Sequence, residues 1–179
     1  MRISGDSMAK DPRRQWQGKV SKAKGKRFES EIDFAFSWYH EKGVAYIEKT
    51  PEPMRPVKSL GGGRFEAFFE KKAQSDYKGT IKGGRSVIFE AKYTDSDRME
   101  QSRVTLEQSE YIEQHYQLGA FCFILAGFGT GNVYRIPWED WRNMKALFGR
   151  KYVKEQDIKK YQVSYGLNGR LKILAKERN

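Results

Sequence analysis

The sequence places Asp76 ahead of Glu90-Ala91-Lys92, and that triplet closes an apolar run, Val87-Ile88-Phe89. Two carboxylates and an ammonium in this setting suit the hydrolysis of a phosphodiester. Carboxylate oxygens hold a divalent cation such as Mg²⁺, which keeps some of its waters. The cation polarises the phosphate, lowers the pKa of an attacking water and neutralises charge on the leaving oxygen. A lysine near that water orients it and opposes the growing negative charge. Residues i and i+2 of a strand share a face, so Glu90 and Lys92 point the same way. The doublet by itself carries little information. Acid-x-Lys occurs four times, as Glu70/Lys72, Asp76/Lys78, Glu90/Lys92 and Asp157/Lys159, and most such pairs are solvated charges worth almost nothing. Glu90/Lys92 stands out because charges are normally excluded from the interior that an apolar strand enters. The alternative is an ordinary salt-bridged strand edge.

The elements around these residues decide whether they can meet. Two strand-like runs flank Gly83-Gly84, the mark of a hairpin. A two-residue turn there would pair Lys82 with Arg85 and Asp76 with Ala91, leaving Asp76 facing away from Glu90 and Lys92. The site therefore requires an odd-length turn, or a bulge near Asp76. Upstream, Phe28, Ile32, Ala35, Phe36 and Tyr39 form one stripe of an amphipathic helix from about Lys24 to Lys42, with Gly43 placed to end it. Residues 44–49 read as a strand stopped by Pro51, Pro53 and Pro56. Thr105-Leu-Glu-Gln108 matches a capping box and opens a helix to about Gln117. The nearly continuous apolar run from Ala120 to Phe128 reads as a central strand buried on both faces. A strand at residues 133–136 and a short helix from Trp138 to about Leu147 follow. The remainder suggests a helix near residues 154–161 and a last strand near 171–174. The order indicates an α/β fold, a mixed sheet flanked by helices.

The chain of 179 residues is long enough for one domain with a real core. Lys and Arg outnumber Asp and Glu by 34 to 23, a net charge of +11 that favours a polyanionic partner. No segment approaches the roughly 20 apolar residues that span a bilayer, and no lipidation motif accompanies the charge. A membrane partner is therefore not expected. Cys122 is the sole cysteine, so no internal disulfide can form and a cytoplasmic location is expected. Its apolar neighbours suggest packing, not nucleophilic chemistry. His40 and His115 lack companions at zinc-site spacing. Residues 1–24 read as a flexible basic arm ahead of a single domain at 25–179, and Arg13, Arg14, Lys24, Lys26 and Arg27 in and beside it are candidates for phosphate contacts. The segment at about 51–74 is a long connection holding Gly61-Gly62-Gly63, Arg64, Phe65, Phe68, Phe69, Lys71 and Lys72. We read it as a projecting element with aromatic and cationic tips; the alternative is a loop whose rings fold back into the core.

The pattern Ser75-Asp76-Tyr-Lys-Gly…Phe-Glu90-Ala-Lys92 resembles the PD-(D/E)xK nucleases, and within them the RecU-type Holliday junction resolvases. Glu-Lys-x-Pro-x-Pro at Glu48 to Pro53, the basic-aromatic insert, the glutamine opening the next helix and Phe121-Cys-Phe-Ile-Leu add to the likeness. Lys24-Gly25-Lys-Arg-Phe-Glu29 is similar to a piece of the archaeal-type resolvases. The resemblance spans roughly Lys24 to Ile158 and implies a restriction-endonuclease-like core with a stalk that enters the junction. It implies that Asp76 and Glu90 hold Mg²⁺, with Mn²⁺ a plausible substitute, that the Ala91 carbonyl is a further ligand, and that Lys92 acts on the water. Glu29 would complete the metal shell, although an acid there also complements a helix dipole. Ser75, where relatives often carry Thr, would bond a phosphate or position Asp76. Gln108 stands between site and structure, since the capping box explains it without catalysis. In the stalk, Phe65, Phe68 and Phe69 would stack on bases while Arg64, Lys71 and Lys72, with Lys78 nearby, meet phosphates.

The resulting expectation is a metal-dependent endodeoxyribonuclease that cuts four-way junctions as a homodimer during recombination and repair, in possible contact with recombination proteins. Its rivals are another nuclease of the same fold acting on duplex DNA, a non-catalytic DNA-binding accessory protein, and, more weakly, an RNA-binding module.

Overall fold

The computed structural model describes residues 12–69 and 74–174. Helix α1 (Pro12–Glu41) leads to strand β1 (Ala45–Lys49) and a hairpin, β2 (Met54–Gly61) and β3 (Arg64–Phe69). Strands β4 (Tyr77–Ile81), β5 (Ser86–Thr94) and β6 (Arg98–Glu100) precede helix α2 (Leu106–Gln117). Then come β7 (Phe121–Phe128), β8 (Val133–Pro137), the short helices α3 (Trp138–Arg142) and α4 (Met144–Phe148), and β9 (Tyr152–Lys154). The central sheet runs β1-β4-β5-β7-β8; β5 and β7 are parallel and the other neighbours antiparallel. This is the expected α/β class, a mixed sheet flanked by helices.

Strand parity divides the core between the two faces of this sheet. On one, Val87, Phe89, Phe123 and Leu125 pack under Phe28, Ile32 and Phe36 of α1. On the other, Ile88, Cys122, Ile124 and Ala126 pack with Ile112 of α2 and with Trp138 and Trp141. Tyr77, Phe89 and Phe123 stack in sequence across β4, β5 and β7, with centroids 4.7 Å apart at each step. This aromatic floor lies beside the start of β4 and the middle of β5, where Asp76 and Glu90 stand. At Gly79 a Cβ would fall 2.0 Å from the Tyr46 carbonyl oxygen, so only glycine lets β1 lie against β4.

Several expectations change. The first 24 residues are not an unstructured arm throughout: α1 begins at Pro12, so 12–24 are helical. Proline is favoured in the first turn, and the Arg, Gln, Lys and Ala after it are good helix formers. Residues 1–11 lie outside the described residues. The insert forms a hairpin, in which β2 includes Pro56 beside a register shift in an exposed two-stranded ribbon. Toward the C-terminus, β9 and single 3₁₀ turns at Glu155–Asp157 and Lys159–Tyr161 replace the expected helix. The expected last strand is reduced to one bridge, Tyr165 to Leu171. Cys122 is buried, and its burial pushes the thiol pKa up to about 12, in keeping with a packing role.

Candidate active site

The register of β4 and β5 pairs Tyr77 with Phe89 and Thr80 with Ser86, which leaves Lys82-Gly83-Gly84 as a three-residue turn. The Ile81 N–H donates to the Arg85 carbonyl at 3.0 Å and closes it. The turn is odd, as the site requires. Gly83 and Gly84 both take positive φ (100° and 91°), which other residues rarely adopt. One further step of the same register sets Asp76 opposite Glu90.

Around Glu90 the polar groups converge. The carboxylate is fully buried, a placement that requires partners. The Lys92 ammonium donates to its Oε1 at 2.6 Å, and Gln108 Nε2 donates to the same oxygen at 2.7 Å. The Asp76 backbone N–H donates to Oε2 at 2.9 Å. Asp76 in turn accepts the Ala91 N–H on Oδ2 at 3.2 Å, taking the place of a ladder partner beyond the end of β4. Burial first, and the negative charge of Asp76 second, push the Glu90 pKa up to about 7.

Gln108 serves both readings. Its Oε1 accepts the Thr105 N–H while its own N–H donates to the Thr105 hydroxyl, completing the capping box of α2. Its remaining amide group reaches Glu90, so the helix cap and the site share one side chain. Ser75 is buried, and its hydroxyl has no hydrogen-bond partner among the described residues.

Glu29 stands apart from this group. It is ion-paired with Lys49 of β1. Lys49 lies opposite Tyr77, whose ring packs on Phe36 of α1, so this pair occupies the α1 face of the sheet. Glu90 meets Gln108 on the α2 face. On the same helix Asp33 is exposed and accepts the Tyr77 hydroxyl at 3.0 Å.

The other candidates are dispersed. The β2–β3 hairpin is solvent-exposed along its described length, with Phe65 and Phe68 59% and 67% exposed and Arg64 at its tip. Neither ring folds back into the core. Lys78 is exposed and donates to Gln74 Oε1 at 3.2 Å; Lys24 pairs with Asp95 at 2.8 Å and Arg27 with Glu31 at 3.2 Å. Lys26 is exposed. Lys71 and Lys72 lie outside the described residues, as do the side chains of Arg13, Arg14 and Phe69.

Thr50 escaped the sequence reading. It sits just past β1, its N–H donating to the Asp76 carbonyl at 2.7 Å, and its side chain is buried. Only the pairing of β1 with β4, which hydrophobic patterns do not specify, would have pointed to it.

The residues present fit a hard divalent cation. Two carboxylates lie side by side in a desolvated setting that raises the cost of their joint charge, which a bound cation would relieve. No cluster of three or more His, Cys, Asp and Glu suited to a metal exists among the described residues. A two-carboxylate centre therefore suits an ion that draws its other ligands from water, carbonyl or phosphate oxygens.

The sequence profile of the RecU family, described as recombination protein U, matches residues 23–176. The Holliday junction resolvase RecU of Geobacillus kaustophilus is 27% identical over 148 residues, covering 77% of this chain and 74% of that protein. The protein of the same name from Streptococcus thermophilus (strain ATCC BAA-491 / LMD-9) is 32% identical over 124 residues, covering 65% and 62%. Among solved structures, the Holliday junction resolvase Hjc of Archaeoglobus fulgidus is similar with a TM-score of 0.46 and 12% identity, over 76% of this chain and 88% of that one.

Proposed function

The chain belongs to the RecU family, and from that premise we propose that it is a divalent-metal-dependent endodeoxyribonuclease that resolves four-way DNA junctions by paired nicks. The observation that carries this reading is the convergence on Glu90 of Lys92, Gln108 and Asp76 from β5, α2 and the start of β4. A buried carboxylate repelled by a half-buried one beside it is costly for a structural role alone.

In this reading Asp76 and Glu90 hold Mg²⁺, with Mn²⁺ as substitute, and the Ala91 carbonyl is the third protein ligand. When bound, the ion supplies Lewis acidity toward the scissile phosphate and a lowered pKa for the attacking water. The chain's own groups do the rest. Gln108 fixes the Glu90 carboxylate from the helix cap, and the Ala91 N–H fixes Asp76. The Lys92 ammonium, 19% exposed at the rim of the site, shifts from Glu90 toward the water and the phosphate oxygens. Ser75 bonds the phosphate or steadies Asp76. Glu29 would join the metal shell, directly or through water, on releasing Lys49.

Junction selectivity arises from shape. The exposed β2–β3 hairpin enters the open centre, where Phe65, Phe68 and Phe69 stack on bases and Arg64, Lys71 and Lys72 meet phosphates. Lys78 and basic residues of the α1 sequence, Arg13, Arg14, Lys24, Lys26 and Arg27, follow the arms. The junction is nearly two-fold symmetric, so a homodimer sets one active site on each of two opposed strands. Contacts with recombination proteins and a cytoplasmic location accord with this role. No helix among the described residues is long and apolar enough to cross a membrane.

The test is a strand-labelled synthetic four-way junction digested beside a linear duplex of matched sequence. Symmetric nicks in the junction and little cutting of the duplex are expected. Equal rates on the two substrates would favour a duplex endonuclease of the same fold.

A further inference from the structure

Three strands meet at the site in one row: β1 ends and β4 begins there, and β5 runs through it. The β1–β4 register pairs Lys49 with Tyr77, and one step further pairs Thr50 with Asp76. The Thr50 N–H donating to the Asp76 carbonyl at 2.7 Å fits that extension. The β4–β5 register, extended likewise, pairs Asp76 with Glu90. Side chains directly opposite one another share a face, with Cβ atoms about 4.5–5.5 Å apart. Thr50 therefore flanks Asp76 on the side away from Glu90. Its neighbour Lys49 turns to the α1 face and meets Glu29 there, so alternation also directs Thr50 toward the Asp76 face.

The Thr50 hydroxyl is a buried donor in need of an acceptor. The residue is 5% exposed, and Oγ1 has no hydrogen-bond partner among the described residues. Buried polar groups are almost always paired, and an orphan adjoining a reactive centre calls for an explanation. Packing offers none, since a valine would fill the same space without burying an oxygen. Asp76 Oδ2 accepts the Ala91 N–H, and a carboxylate, with about four lone-pair sites, can take a further donor from the Thr50 side.

We propose that Thr50 is a positioning residue whose hydroxyl donates to the Asp76 carboxylate once a divalent cation is bound, holding it in its ligating rotamer. The proposal rests on the metal-dependent reading of the site given above. Thr50 acts through Asp76 and touches neither the cation nor the phosphate. It contributes in the way that partners of a ligand commonly do, by fixing orientation, and loss of such a partner lowers metal affinity about 10–100-fold.

The test uses the full chain with Thr50→Val, which removes the hydroxyl and keeps the shape, and Thr50→Ser, which restores it. Mn²⁺ affinity is measured by calorimetry, and junction nicking is resolved into kcat and KM. Without metal, Thr50→Val should melt at or above the wild-type temperature, because it deletes an unpaired buried oxygen. Its Mn²⁺ affinity should fall at least tenfold and kcat should fall with it at saturating junction but fixed metal. KM for the junction should not change, and Thr50→Ser should recover most of the affinity. Wild-type affinity and kcat in Thr50→Val would overturn the proposal alone. A marked loss of metal-free stability in Thr50→Val would also overturn it, by showing that the hydroxyl already has a structural partner. Wild-type protein that binds no Mn²⁺ would overturn the reading of the site itself, and this inference with it.

Discussion

Replacing Asp76 by asparagine should make the metal-free protein more stable while abolishing its activity, and the size of the gain should depend on pH. Glu90 has its pKa raised from 4.5 to about 7, first by burial and then by the charge of Asp76. Below pH 4.5 the group is protonated in both folded and unfolded chains and costs nothing. Between 4.5 and about 7 the unfolded chain ionises while the folded one resists, so folding stability declines across that window. Above 7 the whole cost is present. The difference, 7 minus 4.5, corresponds to about 3 kcal/mol at pH 8. Burial, the larger cause, persists in Asp76→Asn, so only the smaller part is recovered, on the order of 1 kcal/mol. The asparagine oxygen can still accept the Ala91 N–H that Asp76 accepts. At about 2–4 °C per kcal/mol for a domain of this size, the Tm should rise by roughly 2–4 °C at pH 8 in EDTA. Near pH 5 the gain should almost vanish. Thermal unfolding by circular dichroism, run with both proteins in both buffers, measures this. An equal gain at the two pH values, or a lower Tm for Asp76→Asn at pH 8, would refute the claim that charge repulsion between the two carboxylates strains the site.

Lys92→Ala should keep junction binding but lower kcat by about 10²–10³, the scale of a lost electrostatic contact to a transition state; a filter-binding assay beside the nicking assay separates the two effects. Metal affinity should rise with pH and level off above about 7, because binding requires ionised Glu90 and releases its proton below that point; calorimetry at pH 6 and 8 in buffers of different ionisation enthalpy would reveal the released proton, and a flat profile would count against Glu90 as a ligand. Phe65→Ala and Phe68→Ala together should leave the Tm nearly unchanged, since both rings are exposed, yet weaken preference for the junction over duplex by about tenfold or more, given stacking worth about 1–3 kcal/mol per base. A competition titration would show this, and an unchanged preference would remove the hairpin from recognition.

What could be read from the sequence was whatever strand parity and local turn chemistry determine. Glu90 and Lys92 share a face because they are two apart in a strand, and the requirement that Asp76 join them fixed the parity of the Gly83-Gly84 turn, which is three residues long. The Thr105–Gln108 cap was legible for the same local reason. Partnerships between distant segments were not. Thr50 became visible only when β1 was found beside β4, and the ion pair between Glu29 and Lys49 likewise depends on where β1 lies against α1. Pro56 suggested a break, but a two-stranded exposed ribbon leaves one side of each strand without ladder bonds, where a missing N–H costs little. The three-residue strands β6 and β9 are too short to carry any period. The basic segment from Pro12 was mistaken for an arm because charge suggested solvation, and a long helix can be solvated on most of its surface.

The account turns on one cation held between Asp76 and Glu90 with Lys92 at its side. Nicking of a synthetic four-way junction should therefore be followed for wild type, Asp76→Asn and Glu90→Gln in parallel, with EDTA, Mg²⁺ or Mn²⁺. The account predicts paired cuts by the wild type only when metal is present, and no cuts by either variant although both remain folded and bind the junction. Cutting by either variant at the wild-type rate, or cutting by the wild type in EDTA, would contradict it.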